Sequence, residues 1–129
     1  MAGNDLQIIK RVYAAFEAKD FGVIEAVFAP DVEITQSDLV PWGGRFRGRP
    51  GAVEFFTGLL GHIDPRLTVE QLVDAGDHVL EVGRTAGRTV ASGTPFDLPE
   101  IHIWRLREEK VVSMQVYIDV PAMLAALSE

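Results

Sequence analysis

Between Ile63 and Leu67 the spacing of the apolar residues changes from helical to strand-like, and that switch restricts the fold more than any other feature. Before it, Leu6, Ile9, Tyr13 and Phe16 recur at three and four, widened by Ile8, Val12 and Ala15, so residues 5–18 read as an amphipathic helix. Asn4 with Gln7 three residues on forms a capping box in this reading. Asp20 caps a short second helix carrying Val23, Ile24, Val27 and Phe28, and Pro30 stops it. Val32, Ile34 and Gln36 alternate with Glu33 and Thr35 as a short strand, and Ser37 to Gly48 reads as a loop around Trp42. Pro50 suits the first position of a third helix with Val53, Phe56, Leu59, Leu60 and Ile63 on one side. Beyond the switch come four strands, Leu67 to Val73, Val79 to Val90, Phe96 to Leu106 and Val111 to Ile118. Turns stand at Asp74 to Asp77, at Ser92-Gly93 and at Arg107 to Lys110; Asp119 then caps a final helix that opens with Pro121.

The order α-α-β-α-β-β-β-β-α predicts an α+β fold, with a curved antiparallel sheet wrapped around the N-terminal helices in one domain over residues 1–129. The strands are apolar on both alternating faces, so both need cover. Helices can take one, and the other, with His102, Trp104 and Leu106, is expected to meet a second copy in a homodimer.

Composition then excludes classes. With no cysteine there is no disulfide framework, thiolate nucleophile or cysteine zinc site. A net charge of -7 disfavours a nucleic-acid surface; the one basic cluster, Arg45, Arg47 and Arg49, reads as a solvated turn or a phosphate site. No stretch is apolar enough for a membrane span, and the start lacks a leader's basic and apolar regions, so a cytoplasmic protein without membrane contact is expected. His62 and His78 have no ligand partners at metal spacing, and no glycine-rich phosphate cradle or nucleophile elbow is present, so neither metal nor cofactor is expected.

Five stretches in order, VYAAFEAKD from Val12, FAPDVE from Phe28, PWGGRFRG from Pro41, HIWRL from His102 and KVVSM from Lys110 with Tyr117-Ile-Asp119, resemble the nuclear transport factor 2-like superfamily. The likeness is to its ketosteroid isomerase and SnoaL-like polyketide cyclase branch. It implies a cone-shaped α+β barrel around an apolar pocket, usually in a dimer. Function transfers less readily than fold. Ketosteroid isomerase chemistry needs an aspartate base with a tyrosine and a protonated acid as donors. By the resemblance, the tyrosine falls on Val12, the base on Gln36 and the acid on Ile101. The limonene epoxide hydrolase set falls on Thr85, Gly83, Val116, Ile34 and Gln36. Neither set survives, so the chain is not expected to be a true ketosteroid isomerase.

The same register lines the pocket with Ile34, Gln36, Ile101, Ile103, Met114, Val116 and Ile118, closed by Phe16, Trp42 and Phe56. Gln36 would orient a carbonyl or hydroxyl, or else bond the loop at Asp38 to Val40. Glu81 is either an ion-pair partner of Arg105 or a general base, and Tyr13 is a second proton-handling candidate if the helix turns it inward. His102, beside Gln115, is assigned to the dimer face. Two classes remain: an enzyme of isomerase, cyclase or hydrolase type acting without cofactor on a small hydrophobic molecule, or a non-catalytic ligand-binding or dimeric interaction module.

Overall fold

Helical periodicity in the first third and period-two runs in the second half become four helices on a six-stranded sheet. The computed structural model describes residues 2–129, with side chains from Asn4 onward. In chain order these are α1 (Ala2–Glu17), α2 (Val23–Val27), β1 (Phe28–Gln36), β2 (Gly44–Arg47), α3 (Gly48–His62), β3 (Ile63–Asp74), β4 (Val79–Thr89), β5 (Pro95–Arg107), β6 (Lys110–Ile118) and α4 (Val120–Leu127). The sheet order is β2-β1-β6-β5-β4-β3, with β2 and β3 as open edges.

Several local expectations change. The sheet is mixed, because β1 runs parallel to β6 while every other pair is antiparallel. Part of the expected loop is β2, whose Arg45 and Arg47 each reach Glu33 at 3.4 Å across the β1 pairing. Arg49 donates to the Phe28 carbonyl and faces Glu25, so all three arginines have partners within the chain. Helix α1 starts at Ala2, which places Asn4 inside it rather than at its cap. Asp20 accepts from the Gly22 amide, one residue ahead of α2, and Pro30 lies within β1. Pro50 is the third residue of α3. Asp119 does cap α4, accepting from Ala122 at 3.1 Å.

The two-residue turn at Glu108-Glu109 has both residues at positive φ, matching the right-handed twist of the strands it joins. From there an undistorted hairpin would set Ile103 opposite Met114. Instead Val112 is skipped: Leu106 pairs with Val111, but Arg105 pairs with Ser113. This bulge reverses the faces of β5 relative to β6. His102 and Trp104 therefore turn inward with Val116 and Met114, while Ile101 and Ile103 face out beside Tyr117 and Gln115. The expected dimer contact through His102 and Trp104 is overturned, since both are buried within the chain.

Across the inner face the registers build rows. Ile34, Met114, Trp104 and Val79 form one; Gln36, Val116, His102 and Glu81 the next; Ile118, Glu100 and Gly83 the third. The first row packs with Ile9, Val12, Ile24, Phe28 and Phe55 as core. The second and third rows carry the polar groups. No helix among the described residues is long and apolar enough to cross a membrane.

Candidate active site

Helices α1 and α3 and the inner face of the sheet enclose a cavity of about 1100 Å³. Its wall contains Phe16, Gln36, Trp42, Phe56, Met114, Val116 and Ile118, and α1 also turns Tyr13 into it. Ile101 and Ile103 are not in it: Ile101 is 44% exposed on the opposite face. Ile34 belongs to the core row beneath. Phe16 and Phe56 lie 4.8 Å apart between ring centres, Phe21 extends that aromatic wall, and Phe28 backs Phe56 from the core.

Gln36 does not bond its loop backbone at Asp38 to Val40. Its side-chain oxygen accepts from Trp42 Nε1 at 2.9 Å, and both residues are buried. That bond uses the acceptor and leaves the amide nitrogen for a ligand.

The polar floor was only partly foreseen. Glu81 points inward and is fully buried, yet the β4–β5 hairpin pivots between Ala91 and Ser92 rather than on Gly93, so it faces His102 instead of Arg105. The expected Glu81–Arg105 ion pair is absent, Arg105 being exposed on the outer face. Glu81 also stands just behind the cavity wall, whereas Glu100 and His102 reach it. Gly83 makes room for it. A Cβ at Gly83 would lie 2.5 Å from Glu81 Oε2 and would collide with the Thr68 carbonyl of β3.

Tyr13 accepts from Trp104 Nε1 at 2.9 Å and shares a 2.6 Å hydrogen bond with His102 Nδ1. The Tyr13 and His102 rings stack with 6° between their planes, and Trp104 meets both edge-on. Around this imidazole, Glu81 Oε1 lies 3.4 Å from Nδ1 and Glu100 Oε1 lies 3.5 Å from Nε2. Both Glu81 oxygens and Glu100 Oε2 are buried without a hydrogen-bond partner. Burial and the neighbouring Glu100 carboxyl push Glu81 up to about 9, and burial raises Glu100 as well. Two carboxyls this close in an apolar setting do not ionise together, so at least one of them keeps its proton. Burial lowers His102 to about 3, keeping the ring neutral, and desolvation followed by the Glu81 charge raises Tyr13.

One atom each of Glu81, Glu100 and His102 falls within 4.8 Å of the others, a grouping that can also hold a cation. The expectation of no metal weighed only His62 and His78 and did not see this set, which three positions on two strands bring together. The carboxyls lie toward opposite nitrogens of one ring, an arrangement that suits a proton better than a shared ion. Glu100 was not foreseen, although it shares parity with Phe96, Leu98 and Trp104, the run that marks the inner face of β5.

Known proteins bear out the fold. A family profile described as the SnoaL-like domain matches residues 9–114. An NTF2-like protein of unknown function from Burkholderia pseudomallei K96243 is 25% identical over 98% of both chains, with a TM-score of 0.91. Another NTF2-like protein, from Burkholderia thailandensis E264, is 30% identical over 95% of this chain and 96% of its own, with a TM-score of 0.88. TerC, co-crystallised with polyporic acid, is 25% identical over 98% and 99% of the two chains, with a TM-score of 0.88. No curated protein matches the sequence.

Proposed function

The chain belongs to the SnoaL-like domain family, and from that premise we propose that it is an acid–base catalyst acting without a cofactor on a small hydrophobic carbonyl or hydroxyl compound. The observation that carries this reading is Glu100, which brings a buried, unpartnered carboxyl oxygen to the wall of a largely apolar cavity beside Tyr13 and His102. Such a carboxyl, its pKa raised, gives its proton to a carbonyl oxygen or a leaving hydroxyl, and in the ionised form takes one from a carbon next to a carbonyl. That covers isomerase, cyclase and hydrolase chemistry. Gln36 lies two strands away in the same row as His102, about 10 Å by strand spacing, and orients the far end of the ligand. TerC, a structural relative co-crystallised with polyporic acid, supports a small organic ligand for this fold.

Tyr13 and Glu100 each stand one residue from the positions where the ketosteroid isomerase tyrosine and acid were expected, so two donors of that kind are present after all. The base position remains Gln36, which cannot take a proton. The reaction therefore differs from that isomerisation.

Deuterium uptake from D2O into the methyl group of acetophenone, followed by NMR, tests the proposal. The wild type accelerates exchange, and Glu100→Gln lowers the rate by about 100-fold or more. Equal rates for the two proteins, with acetophenone still bound, would leave the non-catalytic ligand-binding reading instead. We also place a homodimer contact on the outer face, where Ile101 and Tyr117 are 44% and 53% exposed beside half-buried Val82, Leu80 and Ile103. Residence in the cytoplasm is part of the same proposal and rests on the acidic, cysteine-free composition.

A further inference from the structure

We infer that Glu81, His102 and Glu100 form a proton relay, in which Glu81 behind the cavity wall resupplies Glu100 at the wall through the imidazole between them. This rests on the reading of Glu100 as the acid that meets the ligand. The geometry carries it: one carboxyl lies 3.4 Å from Nδ1 and the other 3.5 Å from Nε2 of the same ring. An imidazole takes a proton at one nitrogen and releases one at the other, so two carboxyls on opposite nitrogens are joined by it. Both Glu81 oxygens and Glu100 Oε2 are buried without a hydrogen-bond partner that would hold them elsewhere.

The step balances without charging the ring. After Glu100 has given its proton to the ligand, it is a carboxylate facing Nε2–H. The Nε2–H bond breaks as Glu100 takes that proton; the Tyr13 O–H swings off Nδ1, and the Glu81 O–H bond breaks as Nδ1 takes its proton. Glu81 is left as the carboxylate, Glu100 as the acid, and His102 as the other neutral tautomer. Tyr13 permits both tautomers. Its hydroxyl donates to a bare Nδ1 or accepts from Nδ1–H across the same 2.6 Å bond, and Trp104 Nε1 donates to the Tyr13 oxygen in either case. The ring is held without its proton being fixed.

The surroundings keep the store loaded. Facing Glu81 are Glu100 and His102 from β5, Tyr13 from α1 and, more distantly, Glu70 from β3, whose charge opposes ionisation of Glu81. Among the described residues no lysine or arginine pairs with either carboxyl. A carboxyl with only acids and neutral rings around it retains its proton through neutral pH.

NMR of protein labelled with 15N at histidine and 13C at the glutamate carboxyls reads the relay without a ligand. In the wild type, His102 stays neutral while its two nitrogen signals shift in opposite senses over the pH interval in which Glu81 ionises, and in Glu81→Gln that paired shift disappears. Nitrogen signals that stay flat through the Glu81 ionisation, or an imidazolium signal there, would overturn the relay, and the wild-type titration decides this even where Glu81→Gln fails to fold. One equivalent of zinc moving all three residues together at neutral pH would overturn it in favour of a cation site. Acetophenone exchange separates the two ideas: exchange that depends on Glu100 with flat nitrogen signals removes the relay alone, and paired shifts without exchange remove the catalytic reading alone.

Discussion

Glu81 and His102 face each other across β4 and β5, with Oε1 3.4 Å from Nδ1, and both are buried from solvent with no cation beside them. An ion pair is the ordinary result of such a placement. Here burial acts on both groups in the direction of neutrality, raising the acid and lowering the base. The floor of the cavity is thus polar but close to uncharged, which an apolar ligand tolerates.

Stability should follow these shifts with pH. Glu81 is raised from 4.5 to about 9, so the folded state holds a proton the unfolded chain gives up, and its contribution is complete below 4.5 and lost as pH rises toward 9. His102 is lowered from 6.5 to about 3, so its contribution is complete above 6.5 and lost as pH falls toward 3. Between 4.5 and 6.5 the His102 slope opposes that of Glu81, and Glu100, also raised by burial, adds to the Glu81 side. Urea unfolding should show stability falling toward alkaline pH and again toward acid below 4.5, and Glu81→Gln should lessen the alkaline fall while keeping the acid one.

Tyr13→Phe deletes the hydroxyl that satisfies the Trp104 indole N–H and holds the His102 ring. Leaving a buried donor unpaired costs about 1–3 kcal/mol. A cycle with Trp104→Phe should recover part of that cost, because the second change removes the orphaned N–H. Additive losses in chemical denaturation would mean that the hydroxyl stabilises by some other route.

Helices and strands were legible because they rest on periodicity, which also gives Phe16 and Phe56, whereas Met114 and Val116 came from the register that the family resemblance implies. The face of β5 did not follow. Ile101, His102, Ile103 and Trp104 are all large and in part apolar, so alternation alone cannot say which pair is inside. The deciding event is the single skipped residue, Val112, on the neighbouring strand. For the same reason Glu100 was missed and His102 was set on the outer face, and a buried carboxyl runs against the usual rule that Glu is exposed. The parallel β1–β6 pair and short β2 depend on contacts more than 60 residues apart or on a four-residue strand, neither of which leaves a local period.

Gln36→Leu should now act twice. Removing the amide oxygen orphans the Trp42 N–H, so thermal or urea stability falls by about 1–3 kcal/mol, and ligand affinity falls through loss of the free amide. Gln36→Glu keeps the acceptor and should retain most of the stability. If Gln36→Leu binds acetophenone as tightly as the wild type by calorimetry, Gln36 has no part in holding the ligand.

Gly83→Ala tests how Glu81 is accommodated. The added methyl would meet the Thr68 carbonyl and lie 2.5 Å from Glu81 Oε2, and backbone cannot yield as a side chain can. Overpacking of this kind costs about 1–3 kcal/mol, and it should displace the Glu81 carboxyl and lower its apparent ionisation as it gains water. Glu81→Ala in the same background removes one of the two collisions, so the double variant should be less destabilised than the sum of the singles. A strict sum would assign the whole strain to Thr68.

The outer face offers the last test. Ile101 and Tyr117 pair across β5 and β6, with Val82 next to Ile101 on β4, and this apolar strip lies on the side of the sheet away from the helices. A buried aspartate at its centre would be unpaired in both copies of a symmetric contact, so one substitution is felt twice. Ile101→Asp should therefore sediment as a single chain of 14.2 kDa at concentrations where the wild type sediments at twice that mass. Because residue 101 is absent from the cavity wall, the fold and acetophenone exchange per chain should survive. A wild type that sediments as one chain at micromolar concentration would remove the dimer and leave the strip in solvent.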